Sequence, residues 1–387
     1  MYQIKLLNKI SPIGLEKFNP ASYVCGEEVE APDAILVRSA SMHDMALPET
    51  VAAIARAGAG VNNIPCDECA QNGVVVFNTP GANANAVKEL VLLGLLISSR
   101  KVADSMEWVK TLSGKGSEVS KLVEKGKSQF VGPEISGKTL GVIGLGAIGA
   151  MVANAAVSLG MTVYGYDPFI SVDAAWGLSS EIKHAVSLKE IYEMSDYITV
   201  HVPCNNETKG MINASSIATM KTGVRILNFA RGELVDAEDI VAALKEKKVA
   251  AYVTDFPTDE QITTPNVIAF PHLGASTPES EDNCAQMAAA EVIDYLENGN
   301  IKNSVNMPSA SMPRSGKNRV CIIHKNIPAM LSQISTAFSD NKINIENMLN
   351  QSRKDYAYTM IDTNDKVGDA VVDKLSGVDG IIRVRVI

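Results

Sequence analysis

Apolar residues in this chain fall into short continuous runs, separated by longer stretches in which they recur at helical spacing. Runs at 34–37, 74–77, 140–144, 162–166, 197–202, 224–229, 250–255 and 267–270 are rich in Val, Ile, Leu and Ala. A strand that is apolar at every position has no face left for water, so such runs predict a parallel sheet covered on both sides. Segments 84–100, 147–159, 237–246 and 278–298 carry the intervening helical pattern. The opening MYQIKLLNKI has Lys inside its apolar stretch and no small-residue cleavage site, so it reads as a further strand and not as a leader. The alternation predicts an α/β fold with two doubly wound, Rossmann-like units.

The rhythm changes near the C-terminus. The stretch SVNMPSASMPRSGK, 304–317, is rich in Ser and Pro without periodicity and reads as a linker. Beyond it, strand patterns at 319–324, 344–352, 356–361 and 381–386 interleave with helical patterns at 328–340 and 366–376. This βαββαβ order predicts a ferredoxin-like module.

Composition narrows the function classes. The 387 residues allow two or three domains, each with an adequate core. The net charge of −9 disfavours polyanionic partners such as nucleic acid or anionic lipid. The longest uninterrupted apolar run, 90–97, is far short of the ~20 residues of a spanning helix, so no membrane segment is expected. Six scattered cysteines without a secretion signal point to reduced thiols in the cytoplasm.

The strongest motif is Gly144-Leu-Gly146-Ala-Ile-Gly149, entered directly from a strand and leading into a helix. This G-x-G-x-x-G pattern allows a tight turn, close approach of a pyrophosphate and tight helix–strand packing. The following strand ends at Asp167, placed to accept hydrogen bonds from ribose hydroxyls and to repel a 2′-phosphate, which favours NAD over NADP. Two other motifs carry less. Gly132–Thr139 matches the P-loop letters, but a strand follows it where a helix is needed. Cys66-Asp-Glu-Cys69 has no second ligand pair, so no metal site is expected.

Three strand ends add chemistry. His272 follows the run at 267–270, Arg231 follows 224–229, and Asp255 with Asp259 and Glu260 follows 250–255. Ligand crevices in open α/β sheets lie at the carboxyl ends of strands. A lone histidine is more often structural, but an acid/base, a carboxylate and a guanidinium fork together suit a carboxylate substrate.

These residues, with Arg38-Ser39, Arg56–Asn63, Asn78–Asn83, Asn228–Asp236 and Pro271–Thr277, resemble the D-isomer-specific 2-hydroxyacid dehydrogenase family over essentially the whole chain. The C-terminal unit resembles the ACT regulatory domain. The resemblance implies a substrate domain split over 1–85 and 281–305, an NAD-binding Rossmann domain at 86–280, a linker at 306–317 and an ACT domain at 318–387. It implies NAD-dependent oxidation of a small anionic, phosphorylated 2-hydroxy acid by a cytoplasmic homodimer or homotetramer.

Carried over by position, Arg231, Glu260 and His272 become the catalytic set, with Glu260 as the charge partner of His272. Ala59, Gly144, Gly146, Ala147, Ile148, Gly149, Asp167, Val202, Pro203, Ala230, Asp255 and Ala275 become cofactor contacts, with Asp255 on the nicotinamide side. Arg38, Arg56 and Asn83 become substrate contacts, and His324, Asn326 and Asn344 contacts for an L-serine effector. The family's Asp-x-Phe-x-x-Glu-Pro departs here to Asp255-Phe-Pro-Thr-Asp259-Glu260-Gln. Keeping the offset of five selects Glu260, whereas matching Phe-Pro-Thr selects Asp259. Ala329 also stands where ACT domains usually have Gly. Two rival functions remain, a dehydrogenase for an unphosphorylated D-2-hydroxy acid and a non-catalytic NAD-sensing protein.

Overall fold

The computed structural model describes residues 1–387 apart from the side chain of Asp173. The chain divides into two compact units, Met1–Asn83 with Pro278–Ile387 and Ala84–Thr277.

The first unit opens with β1 (Tyr2–Leu7), α1 (Pro12–Leu15), β2 (Tyr23–Gly26), β3 (Ala34–Val37), β4 (Ala53–Arg56), α2 (Cys66–Gln71) and β5 (Val75–Phe77). These strands form a parallel sheet in the order β2-β1-β3-β4-β5. All of β3 is buried, as its continuous apolar run requires.

The second unit contains α3 (Ala84–Ser99), α4 (Val102–Lys110), α5 (Val119–Gly126), β6 (Thr139–Ile143), α6 (Ala147–Ser158), β7 (Thr162–Tyr166), α7 (Val172–Trp176) and β8 (Lys183–His184). It continues through α8 (Leu188–Met194), β9 (Tyr197–Val200), α9 (Ala214–Thr219), β10 (Val224–Asn228), α10 (Ala237–Lys245), β11 (Val249–Thr254), α11 (Asp259–Thr263) and β12 (Val267–Ala269). The seven strands lie in the order β12-β11-β10-β9-β6-β7-β8, all parallel. The chain order reverses between β6 and β9, the switch point at which such sheets open a crevice.

The chain returns to the first unit through α12 (Pro278–Asn298), followed by β13 (Asn318–Lys325), α13 (Met330–Asp340), β14 (Asn347–Arg353), β15 (Tyr356–Thr363), α14 (Asp369–Ser376) and β16 (Ile381–Val386). The last four strands form an antiparallel sheet in the order β14-β15-β13-β16. One face of this sheet packs Val320, Ile322 and Ile361 on Ile334, Phe338 and Leu375 of its two helices. The other face, with Cys321, Ile323, Tyr358 and Met360, shares a core with Phe77, Ala285 and Tyr295. The module is thus built into the first unit. Arg383 donates to the Val51 carbonyl at 2.6 Å, Tyr358 to that of Gly299 at 2.7 Å, and Arg385 to that of Leu296 at 3.1 Å.

Segment 306–317, expected as a linker, is instead part of that seam. Met307, Ala310 and Met312 are buried, and Ala310 bridges Ile301. Ser315 donates to Asp362 from its backbone and its hydroxyl, and Asp362 is paired bidentately with Arg319 at 2.6 and 2.8 Å in full burial. Three irregularly spaced apolar residues fill the core here, a pattern that the Ser and Pro content hides. Among the described residues no helix is long and apolar enough to cross a membrane.

Candidate active site

Strand register brings the chemistry together. Tyr166, Ile143, Val200, Asn228, Thr254 and Ala269 are successive partners in one transverse row across β7, β6, β9, β10, β11 and β12. Every loop leaving that row emerges on the same edge. At ~4.8 Å per strand, β6 and β11 are about 14 Å apart, a span suited to an extended dinucleotide.

The glycine loop leaves β6. Gly144 sits at φ +89°, where a Cβ would lie 2.6 Å from the His201 carbonyl oxygen. A Cβ on Gly149 would lie 1.9 Å from the Gly144 oxygen, so α6 packs directly on the turn. Gly146, the N-cap of α6, faces open space and supplies no side-chain cap, which leaves the helix N–H groups for a phosphate. Ala147 and Ile148 form the first turn of that helix. Asp167 accepts from the Leu145 N–H and the Phe169 N–H, both at 2.9 Å, and so stands beside the glycine loop. Across the switch point Val202 lies against Gly144, and Pro203 follows it. These residues fit a pyrophosphate and an adenosine ribose.

Asn228, fully buried at the end of β10, shapes the next loop. Its side chain donates to the Arg231 carbonyl at 2.8 Å and accepts from the Ala230 N–H at 3.2 Å. Arg231 is thereby held in extended backbone with its guanidinium exposed. Sequence reasoning passed over Asn228, although an amide ending an apolar run is a readable signal. Asp255 is the first residue beyond β11, 2% exposed, with neither carboxylate oxygen in a hydrogen bond. Burial raises its pKa, while the charges of His272 and Arg231 act in the opposite direction. His272 is exposed on the loop after β12, its ring 4.5 Å from that of Phe256. Ala275 follows on the same loop, half-buried. His201, half-buried just after β9, is different: burial lowers its pKa to about 4, so it stays neutral.

Glu260 forms its ion pair with Lys245, not with His272. It lies on α11, exposed, with Oε1 3.3 Å from Lys245 Nζ. Asp259 is also exposed, at the first position of α11. The cause is local: buried Gln261 reaches back to the Thr258 N–H at 3.0 Å, fixing the helix start and leaving both acids outside.

In the first unit, Arg56 ends β4 and Arg38 is the first residue beyond its neighbour β3. Arg38 forms an ion pair with Glu281 at 2.5 Å, and Arg56 donates to the Arg38 carbonyl at 3.1 Å. The Ala59 carbonyl accepts from Asn78, and Asn83 is half-buried just before α3. Burial raises both thiols of the Cys66–Cys69 pair, that of Cys69 to about 12, so neither is an activated nucleophile. In the C-terminal module, His324 is only 2% exposed. Its Nδ1 donates to the Lys325 carbonyl at 2.8 Å and its Nε2 meets the Thr359 hydroxyl at 2.9 Å, so it presents no free nitrogen to an effector. Asn326 and Asn344 are exposed.

A doubly wound sheet with a glycine-rich turn at its switch point, and with Arg, carboxylate and His on neighbouring strand ends, defines a nicotinamide-dinucleotide oxidoreductase. The chain belongs to the D-isomer-specific 2-hydroxyacid dehydrogenase family, and its cofactor is NAD. The model of that family's NAD binding domain matches residues 93–274. The D-3-phosphoglycerate dehydrogenase of Escherichia coli (strain K12) is 33% identical over 347 residues, 85% of this chain and 79% of that one. Its counterpart from Bacillus subtilis (strain 168) is 32% identical, over 82% of this chain and 61% of that one. Among solved structures, NAD+-bound 3-phosphoglycerate dehydrogenase of Entamoeba histolytica superposes with a TM-score of 0.60 at 26% identity, covering 79% of this chain and 98% of that one.

Proposed function

We propose that the protein catalyses NAD-dependent oxidation of 3-phosphoglycerate to 3-phosphohydroxypyruvate, the first step of phosphorylated L-serine synthesis. The observation that carries this is the single strand-end row that delivers the glycine loop, Arg231, Asp255 and His272 to one edge. The similarity to several curated D-3-phosphoglycerate dehydrogenases supports the choice of substrate.

Bound NAD supplies the hydride acceptor. The chain's own residues do the rest. His272 takes the proton of the 2-hydroxyl as the C2 hydrogen leaves as hydride, a task suited to an imidazole whose ordinary pKa is near 6.5. Arg231 holds the carboxylate and the 2-oxygen through its planar fork, which orients the substrate and stabilises charge on that oxygen. Arg38, Arg56 and Asn83 are assigned to the remaining anionic groups. Arg38 is already paired with Glu281, so a phosphate there shares or replaces that partner. Asp167 repels a 2′-phosphate and keeps the enzyme on NAD.

NADH oxidation with phosphohydroxypyruvate, compared with glyoxylate, pyruvate, hydroxypyruvate and 2-oxoglutarate, tests the assignment. Preference for an unphosphorylated acid would reject it, and no turnover with any would favour the NAD-sensing alternative.

The C-terminal module is assigned as an ACT domain that binds L-serine, with exposed Asn326 and Asn344 as contacts and His324 as internal support. Calorimetry with L-serine on wild type and Asn344→Ala tests this, and absence of heat in wild type rejects it. A cytoplasmic homodimer or homotetramer completes the reading. Exposed Leu93, Leu96, Met106 and Val109 on α3 and α4 are candidates for its contacts, and light scattering of the purified protein reads the assembly directly.

A further inference from the structure

Asn228 does more than end a strand. It closes β10 between Val200 of β9 and Thr254 of β11, with no exposed surface. A buried amide must satisfy two N–H bonds and one carbonyl oxygen. All three are taken: Nδ2 donates to the Arg231 carbonyl at 2.8 Å and to the Tyr252 hydroxyl at 3.4 Å, and Oδ1 accepts from the Ala230 N–H at 3.2 Å. The loop closes on itself through one more bond, from Arg231 Nη1 to the Ala230 carbonyl at 2.6 Å. One buried side chain thus holds the N–H of Ala230 and the C=O of Arg231, and the guanidinium holds the carbonyl between them.

The consequence falls on the guanidinium. With Nη1 bound to its own backbone, exposed Arg231 keeps Nε and Nη2 without a partner among the described residues. These two groups lie on one edge of the planar fork, at the spacing that a carboxylate accepts as a bidentate pair. The loop is anchored on either side. Phe229 is buried, and the Cβ position of Gly232 lies 3.3 Å from Cβ of Phe256, whose ring is 4.5 Å from that of His272. The Leu234 N–H also donates to the Arg231 carbonyl, at 3.2 Å. An amide is what the ring needs at 228: Asp offers no donor to the Arg231 carbonyl, and Leu offers neither donor nor acceptor.

We propose that Asn228 is a positioning residue for the substrate: by fixing the 230–231 peptide it presents the Nε–Nη2 edge of Arg231 to the carboxylate of the 2-hydroxy or 2-oxo acid. It acts through Arg231 and touches neither substrate nor cofactor. The inference rests on the dehydrogenase reading of the site, and it gives Asn228 a role that the sequence expectation did not assign.

Asn228→Asp is the informative variant, since it keeps the acceptor for Ala230 and removes only the donors. Two readouts are paired in the full-length protein: KM and kcat for phosphohydroxypyruvate with NADH, and calorimetric titration of the NADH complex with oxalate, an unreactive acid with a carboxylate beside a second oxygen. Asn228→Asp is expected to raise both KM and the oxalate Kd by about tenfold, the size of one lost hydrogen bond. NADH affinity is expected to hold, and kcat to fall by less than KM rises. Tyr252→Phe removes only the 3.4 Å contact and is expected to leave KM in place, which controls for disturbance of the core. Unchanged KM and oxalate affinity in Asn228→Asp overturn the inference and leave the dehydrogenase reading intact. An equal rise of KM in Tyr252→Phe overturns it too, as does a loss of NADH affinity that matches the loss of oxalate. If oxalate binding depends on Asn228 but wild type reduces no 2-oxo acid, the positioning inference stands and the dehydrogenase reading fails. Wild type alone supplies a further check should a variant not fold. In amide hydrogen exchange by NMR the Ala230 N–H is expected to exchange slowly, and exchange at the rate of an open loop contradicts its bond to Asn228.

Discussion

Replacing Glu291 by Gln isolates one carboxyl that the fold keeps protonated. Glu291 lies on α12, 7% exposed, with Oε1 accepting from Asn303 at 2.7 Å and Oε2 buried without a partner. Burial raises its pKa from 4.5 to about 8, only partly offset by the Asn303 hydrogen bond. The sign follows from proton counting. Between these two values the folded chain holds a proton that the unfolded chain has released, so stability falls as pH rises through that window and levels off above it. Each pH unit is worth about 1.4 kcal/mol, so the cost at pH 7 approaches roughly 3 kcal/mol. Gln keeps the acceptor for Asn303, but its amide introduces a buried N–H2 that offsets part of the gain. The expected outcome is a net stabilisation of about 1–3 kcal/mol at pH 7 that falls by about 2.5 kcal/mol on going to pH 5. Urea unfolding of both proteins at half-unit steps from pH 5 to 8 measures it. A difference that does not change with pH would refute the reasoning, because it would mean that Glu291 has the same proton affinity folded and unfolded.

Three further outcomes are expected. Ala329 caps α13 with φ +66°, a left-handed conformation that costs a Cβ-bearing residue about 1 kcal/mol, so Ala329→Gly should raise stability by that order in chemical denaturation. Arg319→Met leaves Asp362 buried without its guanidinium, and about 3–5 kcal/mol should be lost, read as an earlier urea midpoint and faster proteolysis of the C-terminal module. His272→Gln should cut turnover by about 10²–10⁴-fold while fluorescence titration shows NADH binding intact.

Much of this was legible in the sequence, for physical reasons. Strands buried along most of their length must be apolar throughout, so β3, β6, β9, β10 and β11 announce themselves within a residue or two at most ends, and the half-buried apolar runs of β7 and β12 are found the same way. The glycine turn is legible because only glycine fits where Gly144 and Gly149 are crowded by backbone. Strand β2 is short and partly exposed and β8 is two exposed residues, and they escape the pattern. The segment at 306–317 was misread because loop-like composition does not reveal three side chains inserted into a core. Glu260 was selected by spacing alone, whereas its direction is set by the Gln261 cap and Lys245. His324 was expected at a ligand surface, but its burial on the inner strand β13 depends on sheet order, which no local pattern encodes.

The central claim is hydride transfer from C2 of 3-phosphoglycerate to NAD with His272 taking the hydroxyl proton. Incubating the protein with NAD and 3-phosphoglycerate deuterated at C2, then locating the label by NMR, tests it most directly. The account expects deuterium at C4 of the nicotinamide ring in the NADH formed, at a rate that collapses in His272→Gln. NADH without deuterium, or none formed from this substrate while an unphosphorylated D-2-hydroxy acid reacts, would contradict it.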